Sequence, residues 1–166
     1  MVVPELLAAL ERRAPGRFHL TWVGDGPLRD ALAEETARRG LGDRLSLPGY
    51  IPFGRELIER YRSAHAFVHI ALTEGVPQVL FEAMGSGLPI VATDVGGVAD
   101  ALQSGDAGLL VPPEDPAALS AAVLRLAEQP ELRNQLASRA LELAGRETIE
   151  CESARVAAFI RGAGEA

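Results

Sequence analysis

Ala66-Phe67-Val68-His69-Ile70 is followed, two residues on, by Thr73-Glu74-Gly75-Val76-Pro77-Gln78-Val79-Leu80-Phe81-Glu82-Ala83-Met84. The first run is short and apolar, as a buried strand is, and the second passes from turn residues to apolar side chains at helical spacing. Pro77 suits the first position of a helix, where its missing N–H has no partner to lose, and the residue before a proline is biased to an extended shape. Glu74 is therefore placed in the turn and Glu82 inside the helix. A helix that starts beyond the end of a strand points free backbone N–H groups outward, and such an end attracts phosphate. Glu82 stands roughly 7 to 8 Å further along at 1.5 Å rise per residue. A nucleoside diphosphate-sugar, with hydroxyls at both ends and charge in the middle, fits two carboxylates on either side of a phosphate-sized hole.

Outward from this unit the same alternation continues. Strands are predicted near 18–23, 44–48, 66–70, 89–93 and 108–111, and helices near 4–13, 27–39, 54–64, 77–86, 97–104, 115–128, 131–144 and 147–161. Strands alternating with helices read as α/β, a parallel sheet of about five strands covered on both faces. In the second helix Leu28, Ala31 and Leu32 form the i, i+3, i+4 stripe, Pro27 marks its start and Gly40 its stop. Residues 162–166 are expected to fray.

The chain has 166 residues, 48% of them hydrophobic, enough for one core and a single domain over 1–166. A net charge of −7 argues against nucleic acid or an anionic membrane surface as partner. All 16 basic residues are arginines, a usage that reads as genome base composition rather than function. Cys151 is the one cysteine, so no internal disulfide forms, and no apolar run reaches membrane-spanning length. A cytoplasmic location is the expectation. His19, His65 and His69 have no Cys or carboxylate at metal-ligand spacing, so no metal site is expected. No Gly-x-Ser-x-Gly or Walker pattern is present.

Several motifs fall in a familiar order: Val23-Gly24-Asp25-Gly26-Pro27, Leu47-Pro48-Gly49-Tyr50-Ile51-Pro52, the paired glutamates, Glu82-Ala83-Met84-Gly85-Ser86-Gly87-Leu88-Pro89-Ile90-Val91-Ala92-Thr93, Gly96-Gly97 and Gly108-Leu109-Leu110-Val111-Pro112. In these the chain resembles the carboxyl-terminal, donor-binding domain of retaining glycosyltransferases of the GT-B fold, within glycosyltransferase family 4. The resemblance implies a Rossmann-like three-layer α/β/α domain and a donor that is a UDP- or GDP-sugar, with no separate cofactor. It implies that Glu82 accepts hydrogen bonds from the ribose hydroxyls and that Glu74 contacts the transferred sugar and supports positive charge developing at its anomeric carbon. Gly75, Val76 and Pro77 then present backbone to the diphosphate and sugar, Gly24 and Gly26 lie on the donor side of the cleft, and Gly49, Tyr50 and Ile51 receive the nucleobase through backbone groups and a flat apolar contact.

Each residue also has a plainer reading. Glu82 is alternatively a solvated helix glutamate, since Val79, Leu80, Ala83 and Met84 make up the apolar face and leave it pointing away. Glu74, like Thr73, is alternatively a helix cap. The glycines 24 and 26 alone suggest only a tight turn, and Tyr50 a half-buried surface aromatic. Asp100 stands where the family's Gly-Gly-x-x-Glu turn has the longer acid. Arg29, Arg55 and Arg62 read as solvated, and His69 as a core histidine.

In the family this domain opens with a further strand ending in Gly-Arg, then Lys-Gly, whose Arg and Lys contact the donor phosphates. Here Met1-Val2-Val3-Pro4 leads straight into helix, so the first strand, both cations and the acceptor-binding domain are expected to be absent. Two functions follow: the donor half of a hexosyltransferase acting on a glycan or lipid-linked acceptor, peripheral at the inner membrane through the absent domain, or a non-catalytic nucleotide-sugar-binding module or subunit that requires a partner chain. The family's strand order, 3-2-1-4-5-6, becomes 2-1-3-4-5 without its first strand. The expectation is a closed five-stranded sheet or a strand-mediated homodimer.

Overall fold

The computed structural model describes residues 1–148, 150, 151, 153, 154 and 156–158. Among them, strands β1 (Leu20–Val23), β2 (Leu45–Gly49), β3 (Phe67–His69), β4 (Ile90–Thr93) and β5 (Leu109–Val111) alternate with helices α1 (Val2–Arg13), α2 (Arg29–Arg38), α3 (Arg55–Ser63), α4 (Gln78–Gly85), α5 (Val98–Ala101), α6 (Pro116–Glu128) and α7 (Pro130–Arg146). All pairing is parallel, and the expected Rossmann-like α/β architecture is present. β4 lies between β3 and β5 and is buried at every position, which explains why Ile90-Val91-Ala92-Thr93 shows no polar alternation. The expected strand positions agree with the structure to within two residues.

The strands are divided between two sheets, β1–β2 and β3–β4–β5, so the closed order 2-1-3-4-5 is not formed. No ladder joins β1 to β3. Side chains link the two sheets instead, and α1 supplies them. Its Leu6 and Leu10 sit in one buried cluster with Val91, Val111, Leu119 and Leu126, while Val3 and Leu7 sit in another with Leu32, Leu41 and the partly buried Leu20 and Trp22. Ile70, just past β3, packs against both clusters. Helix sterics make this possible, since residues 3 and 7 share one line along the helix and 6 and 10 the adjacent one.

On the opposite face a third cluster gathers Ile51, Leu57 and Tyr61 from β2 through α3, Leu80, Ala83 and Met84 from α4, and Ala140 and Leu143 from α7. The β3–β4–β5 sheet is thus covered on both sides. Local signals account for the helix ends. The Asp115 carboxylate accepts from the Ala118 N–H at 2.8 Å, with Pro116 at the first helical position of α6, and Pro130 opens α7 in the same way.

Two local expectations need correction. Leu28 is 67% exposed, because the turn after Pro27 runs one residue further and α2 turns Leu32 and Thr36 inward instead. The buried Thr36 hydroxyl donates to Leu32 O at 2.7 Å. The helix expected over 97–104 stops at Ala101, since Gln103 and Ser104 take positive φ values of 48° and 54° and cannot continue it. The expected helix over 147–161 falls partly, and the fraying end at 162–166 wholly, outside the described residues.

If α1 ties the sheets together, Leu6→Ala, at a site 1% exposed, costs about 2–5 kcal/mol through lost burial and the cavity left behind. Urea unfolding of the variant measures this; a midpoint equal to that of the parent chain contradicts the linking role.

Candidate functional site

Every site residue singled out from the sequence lies at or beyond the carboxyl end of a strand, the side on which open parallel sheets bind ligands. After β1, Gly24 has φ +135° and its N–H donates to Gly49 O at 2.9 Å, which ties the loops leaving β1 and β2 together. Gly26 N–H donates to Asp25 Oδ1 at 2.9 Å. Arg29 Nη2 donates to Leu47 O at 2.9 Å, and Arg55 pairs with Glu59, so both of these arginines have protein partners. Gly49 takes φ +82°, and Tyr50 after it is 75% exposed. Tyr50 is therefore largely exposed, not half-buried. Ile51 turns its side chain into the core beside Leu57 and Tyr61, so that its backbone is the part left facing the loop.

The second loop leaves β3. Its root is clamped by Thr93: the Ala71 N–H donates to Thr93 Oγ1, whose hydroxyl donates to Ala71 O, each at 2.9 Å. Gly97 N–H donates to Gly75 O at 2.8 Å. A Cβ on Gly97 would stand 2.7 Å from Val76 Cγ2 and 2.8 Å from Gly75 O, and one on Gly96, where φ is +53°, would stand 1.7 Å from Glu74 O. The glycine pair is thus a close-packing requirement that sets the height of the Glu74–Val76 backbone, a reason that sequence motifs alone did not supply. Asp100, on α5, is exposed to solvent.

Pro77 is buried, but with ψ 124° it is the residue before the helix and not its first turn, and α4 begins at Gln78. The steric bias of Pro77 applies to Val76; its own extended ψ delays the helix by one residue. No side chain among the described residues caps α4, and neither Thr73 nor Glu74 does so. The Leu80 N–H donates to Pro77 O at 3.1 Å, which leaves the N–H groups of the exposed Gln78 and Val79 as the open donors of α4, beside a turn whose residues 72–76 are exposed.

Glu82 occupies the second turn of α4, partly buried, and its Oε2 accepts from the Tyr61 hydroxyl at 3.0 Å. Tyr61 lies on α3 and is 9% exposed. Its ring meets Phe67 edge-on at 5.7 Å between centroids, and Phe67 stacks on His69 at 6.4 Å. His69 Nε2 comes to 3.8 Å from Glu74 Oε1, too long for a hydrogen bond, and has no other partner although it is buried. The two glutamates are thus backed by one row of rings. Burial lowers the His69 pKa against the opposing pull of Glu74, and burial followed by Glu82 raises that of Tyr61. No sequence pattern connects Tyr61 with Glu82, because α3 and α4 meet only through the fold. Val79, expected on the apolar face, is 36% exposed, and with Tyr50, Phe53, Leu72 and Val76 it gives these loops an apolar surface. Among the described residues no three metal-ligating side chains gather, and no helix is long and apolar enough to cross a membrane.

Two outcomes test this geometry. Gly96→Ala forces strain and a clash with Glu74 O, and about 1–3 kcal/mol of destabilisation is expected; Gly85→Ala, in a helix with open space at the Cβ, should be neutral or stabilising. Denaturant melts that put the two variants level rule out the packing argument. The His69 effect concerns pH. The folded chain holds neutral His69 more strongly than the unfolded chain does, so the unfolded chain binds more protons between the lowered folded pKa and the ordinary value near 6.5. Stability falls as pH drops through that window, by at most about 1.4 kcal/mol per pH unit for one proton. His69→Phe should flatten this limb, and unfolding curves of the two proteins between pH 5 and 7 with the same pH slope count against it.

Three comparisons place this geometry among known proteins. A family model described as glycosyl transferases group 1 matches residues 2–129. The alpha-D-kanosaminyltransferase of Streptomyces kanamyceticus is 36% identical over 141 residues, covering 84% of this chain and 36% of that protein. Sucrose-phosphate synthase from Thermosynechococcus elongatus superposes with a TM-score of 0.77 at 27% identity, over 97% of this chain and 42% of that one. HepE from Anabaena, solved in complex with UDP, gives 0.82 at 22% identity over 95% and 44%, a likeness of fold. The chain spans less than half the length of each of these. With the family model matched over residues 2–129, the chain belongs to the group 1 glycosyl transferases.

Proposed function

We propose that this chain is the nucleotide-sugar-binding half of a retaining glycosyltransferase that moves a hexose from a UDP- or GDP-sugar to a glycan or lipid-linked acceptor in the cytoplasm. The observation that carries the reading is the exposed turn at Glu74–Val76, held by Gly96 and Gly97, opening onto the uncapped start of α4 with Glu82 one turn further in. In this reading the diphosphate lies on the first N–H groups of α4 and the backbone of Gly75, Val76 and Pro77, where the helix end carries roughly half a positive charge. Glu82 accepts from the ribose hydroxyls. Glu74 accepts from sugar hydroxyls and faces the anomeric carbon as positive charge develops there. Gly24, Gly26, Gly49, Tyr50 and the Ile51 backbone take the nucleobase end. The UDP held by the similarly folded HepE supports the donor class.

Transfer also needs an acceptor hydroxyl held against the anomeric carbon. Such positioning accounts for roughly 7–11 kcal/mol of a catalysed barrier. The residues described here hold the donor, and the relatives are more than twice as long, so the reading assigns the acceptor to a further domain or a partner chain. The carboxylates are not the acid/base pair of a hydrolase, which lies on both sides of the bond being broken.

Titration calorimetry with UDP tests the donor reading. A charged hydrogen bond of about 1.5–3 kcal/mol predicts that Glu82→Ala lowers affinity by roughly 10- to 100-fold. Equal UDP binding by the parent and Glu82→Ala chains excludes the ribose assignment.

A further inference from the structure

Within the donor reading just given, on which this inference rests, we propose that Tyr61 is the positioning residue of the ribose site, fixing one oxygen of Glu82 so that the other is presented to the ligand. A glutamate on a helix surface has several rotatable bonds, and ordering it on binding weakens affinity. Glu82 is already ordered. Its Oε2 accepts from the Tyr61 hydroxyl at 3.0 Å, while an ionised carboxylate retains acceptor sites on its second oxygen. The remaining oxygen can accept from a ribose hydroxyl without breaking the tyrosine bond.

Tyr61 is itself held from several sides. It is 9% exposed, belongs to the buried cluster with Leu57, Leu80 and Met84, and has its ring against Phe67 at 5.7 Å. Its backbone carbonyl accepts from Ala64 N–H at 3.0 Å at the end of α3. The hydroxyl therefore has little freedom, and the preorganisation passes to Glu82. The competing account is that Glu82 merely satisfies a buried phenol. That account gives Tyr61 a part in stability and none in recognising ribose.

Tyr61→Phe separates the two, because it keeps the ring and its contact with Phe67 and removes only the hydroxyl. The full chain is titrated with UDP and GDP, each beside its 2′,3′-dideoxy analogue, in the parent, Tyr61→Phe, Glu82→Ala and doubly substituted forms. Expected is a loss of about three- to tenfold in ribonucleotide affinity for Tyr61→Phe with the dideoxy analogue unchanged, and no further loss when Tyr61→Phe is added to Glu82→Ala. If Glu82→Ala selectively weakens the ribonucleotide while Tyr61→Phe binds like the parent, or weakens both nucleotides alike, the positioning role is overturned and the ribose reading stands. If Glu82→Ala leaves the ribose preference intact, the ribose reading fails and this inference with it. Absence of binding by the parent chain to every nucleotide overturns the donor reading, and Tyr61 then has no site to position.

Discussion

The packing of α1 against both sheets is the contact on which the other arrangements depend. β1–β2 and β3–β4–β5 share no hydrogen-bonded ladder, so nothing in the backbone pairing sets their separation. Val3 and Leu7 hold one sheet and Leu6 and Leu10 the other, all buried, each contributing about 1.5–3 kcal/mol. Against the marginal stability of a domain that sum is large. The loops after β1 and β2 are tied to each other by Gly24 and Gly49, those after β3 and β4 by Gly75 and Gly97. Side-chain packing, from α1 on one face and from α3 against α4 on the other, is what relates the two pairs.

The legible part of this chain follows from periodicity. Ile90-Val91-Ala92-Thr93 is uniformly apolar because its strand is covered twice, and the Leu6, Leu7 and Leu10 spacing is that of a helix lying on a core. Those patterns depend on neighbours in sequence and were readable to within two residues at the strands. Leu28 and Val79 fit the same patterns and are exposed: Leu28 lies before the first turn of α2, and Val79 stands in the first turn of α4, at the open end of the helix. The Ile51 side chain is in the core, a placement the loop motif did not reveal, since such a motif records backbone shape and leaves side-chain direction open. The place of the split followed from the strand expected to be absent, but whether β1 and β3 close over it did not, as their pairing depends on what stands between them in space.

The site shows the same division between motif and mechanism. Glu74, Gly75, Pro77 and Glu82 are singled out by the sequence, and in the structure they lie around one turn and helix start. What fixes them was hidden. Gly96 and Gly97 are 20 or more positions from the turn they support, and Tyr61 is 21 from Glu82. Glycine is visible as a turn signal, but the approach of Glu74 O that demands it is a contact between two loops. A tyrosine on α3 has no signature that distinguishes a hydrogen-bond donor from ordinary core.

Electrostatics sets the character of the proposed site. The chain carries a net charge of −7, yet the proposed ligand is an anion with two phosphates. Arg29 and Arg55, the described arginines nearest in sequence to the nucleotide loops, are engaged with Leu47 O and Glu59. Attraction must then come from backbone N–H groups at the start of α4, whose partial charge acts over about one turn. A field of that range recognises a phosphate already seated and does little to draw one in from solution. In the proposed reading specificity falls to the carboxylates, of which Glu82 is held by the Tyr61 hydroxyl at 3.0 Å while Glu74 stands 3.8 Å from His69, beyond hydrogen-bond reach and free to adjust to its sugar. On that proposal the neutral backbone of the turn and helix start holds the charge, and negative side chains read the sugars on either side of it.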